Sequence, residues 1–240
     1  MAFKQFALDE QTTVTIYKRR TSRSLRLSVA ANGTIRVSIP LWAPYSAGVN
    51  FARSRMKWIK AHGQSAQQLQ QGQPVGKAHH LWFVADASAS QPASRVKPSQ
   101  IVITYPADLS PAHDAVQRAA EAASIRALRS QAEALLPQRL AALAEQHGFT
   151  YNQVTIKRLK SRWGSCDQKQ NIVLNLFLMQ LPWDLIDYVL LHELTHTKVL
   201  RHGPDFWQHL EQVLPTAQQL RHTIRSHQPV LHSLPGSDVA

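Results

Sequence analysis

Two histidines four residues apart, His192 and His196, with Glu193 beside the first, spell H-E-x-x-H inside an apolar run from Leu181 to Leu200. At about 100° per residue, all three side chains leave one side of a helix. Imidazoles one turn apart can hold a divalent cation between them, and zinc suits that donor set. A carboxylate next to the first ring can take a proton from water activated by the ion. The expected roles are His192 and His196 as neutral ligands and Glu193 as general base in a hydrolysis of peptide bonds.

The surroundings of the motif strengthen this expectation. Leu185, Ile186, Val189, Leu190, Leu191 and Leu194 make the carrying helix apolar almost all round, so it should be buried. Polar groups buried with it would cost roughly 1–3 kcal/mol each if nothing satisfied them. A metal and its water would do so.

A third ligand is needed. His202 follows His192 by ten residues and precedes the helix breakers Gly203 and Pro204. The spacing matches the three-histidine metzincin pattern, except that metzincins carry glycine where Val199 stands here. Glu211 on the following helix competes, as in proteases with a glutamate third ligand, and His209 competes more weakly. Trp163 and Trp207 are expected as core residues, Cys166 as a turn residue, and Arg162 as a minor candidate for binding a carbonyl or carboxylate. The strand from Asn171 to Phe177 is offered as an edge that an extended peptide could join.

These residues must be positioned by the elements around them. Val154 to Lys160 and Ile172 to Phe177 alternate as strands and should pair as a hairpin just before the helix that starts near Pro182. Pro204 can open a further helix to Leu214, and a short one is expected from Thr216 to Arg225. Upstream, Ser110-Pro111 should start a helix that Pro137 kinks or splits and that ends near His147-Gly148. Two alternating runs, Leu25 to Val29 and Ile35 to Ile39, flank Asn32-Gly33 and predict a hairpin. Ser46 to His62 is expected as one helix. Leu81 to Val84 and Ile101 to Tyr105 read as strands, with Asp86 to Gln100 as a loop between them. The adjacent His79 and His80 are expected at the surface.

The predicted fold class is α+β. A β-rich N-terminal part with a basic hairpin and one helix spans 1–108. A zincin-like part carrying the active-site helix spans 109–227, and a flexible tail spans 228–240.

The 240 residues carry a net charge of +12, which favours acidic partners. Nucleic acid, met through a basic surface, is admitted beside a peptide or protein substrate. The single Cys166 excludes an internal disulfide framework. With no apolar run of spanning length and no signal-like start, no membrane partner is expected and the location is read as cytoplasmic.

Taken together, Arg162-Trp163-Gly164-Ser165-Cys166, Tyr188-Val189, His192-Glu193-Leu194-x-His196 and His202-Gly203-Pro204-x-Phe206-Trp207 resemble the YgjP-like family of metal-dependent hydrolases, near the SprT-like and WLM zinc peptidases. The basic hairpin and Trp58-Ile59 are similar to it as well, and the likeness runs from about Arg19 to Leu220. It implies a zincin-like core with three histidine ligands, His202 among them. Some members of that family carry a nucleotide pyrophosphatase label, so a metal-dependent nucleotide pyrophosphatase stays as an alternative, as does a nucleic-acid-associated protease.

Overall fold

The computed structural model describes residues 3–9, 12–20, 22–29, 35–62 and 68–231, and these form an α+β chain in two compact units, Met1–Gln68 and Leu69–Ala240.

The first unit is one four-stranded sheet with two helices. Its strands are β1 (Phe3–Ala7), β2 (Thr13–Arg19), β3 (Arg26–Val29) and β4 (Ile35–Pro40), in the order β1-β2-β4-β3. Period-two alternation sends Val14, Ile16, Ile35, Val37 and Ile39 to one face, where they are buried with Ala52 and Ile59. β3 and β4 run antiparallel, as the hairpin expectation requires, while its Asn32-Gly33 turn lies outside the described residues. Instead of one helix over 46–62 there are two, α1 (Tyr45–Ser54) and α2 (Met56–His62). The break falls at Arg55, which leaves helical torsions at φ −107° and ψ 18°. Gly48 lets α1 approach the sheet, because a β-carbon there would lie 3.0 Å from Ile16 and 3.1 Å from Ile39.

The second unit begins with the sheet β5 (Pro74–Val75), β6 (His79–Asp86), β7 (Ala93–Val96) and β8 (Gln100–Pro106), in the order β5-β6-β8-β7. The span expected as a loop thus contains β7, which pairs antiparallel with β8. The expected boundary near Asp108 falls inside this unit, because the long helix α3 (Asp114–His147) packs across the sheet. Small residues on its inner stripe, Ala120, Ala123 and Ala127, permit the close approach. α3 starts at Asp114, capped by His113, rather than at Ser110-Pro111. It also continues through Pro137. Leu136 and Leu140 on either side are fully buried, and their packing overrides the lost hydrogen bond. Gly148 ends it at φ 65°.

His79 is buried rather than at the surface. Gln131 Nε2 donates to its Nδ1 (2.8 Å), and His80 alone of the pair is exposed.

The third sheet holds β9 (Gln153–Lys157), β10 (Gly164–Cys166) and β11 (Asn171–Asn175), in the order β10-β11-β9. Two expectations change here. β9 and β11 pair parallel, and the hairpin is formed by β10 with β11. β11 is central, so the edges of this sheet are β10 and β9 rather than the strand from Asn171. A 3-10 helix (Leu176–Gln180) leads into α4 (Trp183–His196), followed by α5 (Pro204–Val213) and α6 (Ala217–Ile224). Among the described residues no helix is long and apolar enough to cross a membrane.

Candidate metal centre

α4 is packed on several sides, by α3, β10, α5 and α6, which explains why its sequence is apolar almost all round. Pro182 precedes its first turn and Asp184 lies in that turn, where a negative charge suits the helix N-terminus. The last turn carries His192, Glu193 and His196. Glu193 and His196 are buried, and His192 is nearly so.

The bend after α4 brings in His202. Its Nε2 lies 2.9 Å from His192 Nε2 and 3.1 Å from His196 Nε2. One ligand atom from each ring falls within 4.8 Å of the others, so the cluster could hold a metal ion. Hydrogen bonds alone do not account for it. His196 Nδ1–H donates to the Val199 carbonyl (3.1 Å), so the neutral ring turns a bare lone pair inward. His202 Nε2 is common to both close contacts and carries either a proton or a lone pair. It therefore cannot make a linear hydrogen bond in both. His192 Nδ1 is buried with no partner. Burial first, then the neighbouring His196, His202 and Arg221, push His192 down to about 3. Burial likewise lowers His196, and its bond to Val199 acts the other way. The His192 and His196 rings are thus favoured in the neutral form, the one that ligates metal.

Phe206 closes the back of the cluster. Its ring centre lies 4.9 Å from His192, 4.5 Å from His196 and 4.8 Å from His202, and it is fully buried. Trp207 stacks beside His202 at 28°, with the Arg221 guanidinium 4.1 Å above its ring. Trp207 is half-buried.

Glu193 turns toward β10, where the Gly164 backbone lies against its carboxylate. Its Oε2 has no hydrogen-bond partner. Burial raises its pKa to about 8, and the nearby Arg162 guanidinium opposes that rise. A carboxylate poised this way can exchange a proton near neutral pH.

The strand segment that meets Glu193 is itself pinned. Asn175 is fully buried, and its Nδ2 donates to the Leu159 (2.9 Å) and Arg162 (2.8 Å) carbonyls. Its backbone N–H donates to Trp163 O (2.9 Å). These bonds fix the approach to Gly164. On the other side of the hairpin, Gln170 Nε2 donates to Thr197 O (3.2 Å) at the end of α4. Sequence spacing did not single out Asn175. The available signal was a polar residue closing an apolar alternating strand.

The other candidates stand apart from the cluster. Glu211 is exposed and accepts from Gln218 Nε2 (2.7 Å), and His209 Nδ1 donates to Asp205 O (2.9 Å). Cys166 lies on β10, and burial, with Glu193 and Asp167 adding to it, pushes its thiol up to about 11. It is therefore a poor nucleophile at neutral pH.

Compared with known protein families, residues 23–227 match the family described as YgjP-like, metallopeptidase domain. No curated relative matches the chain. Among solved structures, the chain is similar to the metallopeptidase zymogen abylysin of Pyrococcus abyssi, at 26% identity over 38% of this chain and 93% of that one, with a TM-score of 0.36. It is also similar to the zymogen jannalysin of Methanocaldococcus jannaschii, at 18% identity over 42% and 94%, with a TM-score of 0.33.

Proposed function

Since this chain belongs to the YgjP-like metallopeptidase family, we propose that it is a zinc-dependent peptidase, with His192, His196 and His202 as ligands and Glu193 as general base. The convergence of three Nε2 atoms carries this reading. Tetrahedral nitrogen ligands at about 2.0–2.1 Å from zinc lie roughly 3.3 Å apart. The two separations that involve His202, 2.9 and 3.1 Å, lie near that value, and all three ligand atoms fall within 4.8 Å of one another.

When bound, the metal supplies an acidified water and draws electron density from the scissile carbonyl. The protein's own residues do the rest. The Val199 carbonyl fixes the His196 ring in the tautomer that leaves Nε2 free. The Glu193 carboxylate, beside the first ligand, takes the proton from water and delivers it to the leaving amine nitrogen. The Arg162 guanidinium nearby favours the ionised form against the effect of burial. β10 borders this carboxylate and forms one edge of its sheet, so an extended peptide pairing there would run past Glu193.

The test combines metal analysis with hydrolysis of an unfolded protein substrate. Near-stoichiometric zinc, and a loss of turnover on the order of a thousandfold in Glu193→Gln with metal retained, are expected. Turnover unchanged in that variant would refute the assignment.

A further inference from the structure

No residue of the first unit enters the chemistry proposed above, yet that unit holds most of the molecule's charge. Eleven of the 27 Lys and Arg but only two of the 15 Asp and Glu fall in residues 1–68, giving nine of the net +12. The sheet β1-β2-β4-β3 buries one face beneath α1 and α2. On the other face, strand pairing sets Phe3 beside Tyr17, Tyr17 beside Ser38, Ser38 beside Arg26, and Thr15 beside Arg36. Arg19, two residues past Tyr17, shares that face.

The composition of this face is unusual for one left to water. Phe3 is 57% exposed, and its ring centre lies 5.6 Å from that of Tyr17, which is half-buried. The Arg36 guanidinium sits 6.0 Å over the Tyr17 ring. Arg19, Arg26 and Arg36 are all exposed. None of the four strands contains an Asp or a Glu. Two neighbouring rings, with one guanidinium over Tyr17 and two more arginines on the same sheet face, match a chain of flat bases joined by phosphates. Each base offers a π-face for stacking, and each phosphate a partner for arginine.

We propose that the open face of this sheet binds single-stranded nucleic acid, with bases stacked on Phe3 and Tyr17 and phosphates held by Arg19, Arg26 and Arg36. A duplex hides its base faces, so it gains only the phosphate contacts and binds more weakly. An anionic membrane is less well matched. Its anchor would be an apolar tip, and the exposed Leu41 and Trp42 that could supply one stand in the turn after β4, not on this face.

Fluorescence anisotropy of full-length protein with labelled oligo-deoxythymidine tests this, across a salt series. Phe3→Ala should weaken binding about tenfold, and Phe3→Trp should retain it. The triple variant Arg19→Ala, Arg26→Ala, Arg36→Ala should flatten the log–log salt slope by about 2. Removing the same charge from exposed helix-side positions, Arg53→Ala, Arg55→Ala, Lys57→Ala, should change it far less. Circular dichroism verifies folding, and Phe3, being exposed, is not needed for it. Glu193→Gln should bind as wild type does, which separates this proposal from the peptidase assignment. Equal losses in the two triple variants would overturn it. So would duplex bound as tightly as single strand, or phosphatidylglycerol vesicles captured while the oligonucleotide is not.

Discussion

The backbone of Gly164 presses on the side chain of Glu193: a β-carbon at Gly164 would lie 2.7 Å from Oε1, 2.8 Å from Cγ and 2.9 Å from Cδ. Strand β10 and helix α4 can come this close only because residue 164 has no side chain. The space around the carboxylate is set by a residue that does no chemistry.

Gly164→Ala follows directly from that contact. The added methyl meets the Glu193 side chain from Cγ to Oε1, so the carboxylate must move. Folding and metal content should be nearly unchanged, while kcat falls by about a hundredfold, the usual effect of displacing a catalytic group by an ångström. Steady-state kinetics beside a melting curve checks the split. A large loss of thermal stability with proportionate activity would contradict it.

The third ligand can be tested by metal content alone. His202→Ala should release the ion on dialysis, whereas Glu211→Ala should keep it, since Glu211 is engaged with Gln218. Elemental analysis of both variants decides the matter, and the reverse pattern would reject His202.

Cys166 gives a chemical test of its surroundings. With its thiol pushed up to about 11, chiefly by burial, its thiolate fraction at neutral pH is roughly a few hundredfold below that of an ordinary thiol at about 8.5. Alkylation by iodoacetamide, followed by mass, should be correspondingly slow at pH 7 and should rise about tenfold per pH unit without levelling before about pH 11. Rapid labelling at pH 7 would show that the pocket is wetter than the structure implies.

His79 makes a prediction about acid. Burial lowers its affinity for protons, and Gln131 Nε2 donates to its Nδ1. The unfolded chain protonates first, near 6.5, so it binds more protons than the folded state below that pH. Stability should therefore fall as pH drops through 6.5 and level off once the folded His79 also protonates. His79→Gln should shallow that fall in melting temperatures between pH 7 and 5. An unchanged profile would place the acid sensitivity elsewhere.

Much of the candidate site could be read from spacing because its parts are close in sequence. His192, Glu193 and His196 share one helical turn, and the breakers at Gly203-Pro204 locate the bend that carries His202. What spacing could not reveal was tertiary. The contact between Gly164 and Glu193, and the bonds from Asn175 that hold the strand there, join separate elements. In the fold, alternation located the buried strands well. It missed β1, which is short and mostly exposed. It also could not choose parallel over antiparallel pairing for β9 and β11, since both place the same side chains inward. Pro137 misled because a local rule yielded to packing along α3. Arg55 breaks the span expected as one helix over 46–62, with neither Gly nor Pro to announce it.

His202 belongs to neither helix but to the bend between α4 and α5. An ion held there would also act as a clasp, tying a short irregular stretch to the rigid end of α4. Ion affinity and local order in that stretch would then be one thermodynamic quantity. A chelated molecule would loosen first at residues 197–203, with the greasy interior of α4 still shut, and a nicking protease would find its earliest cut in that span.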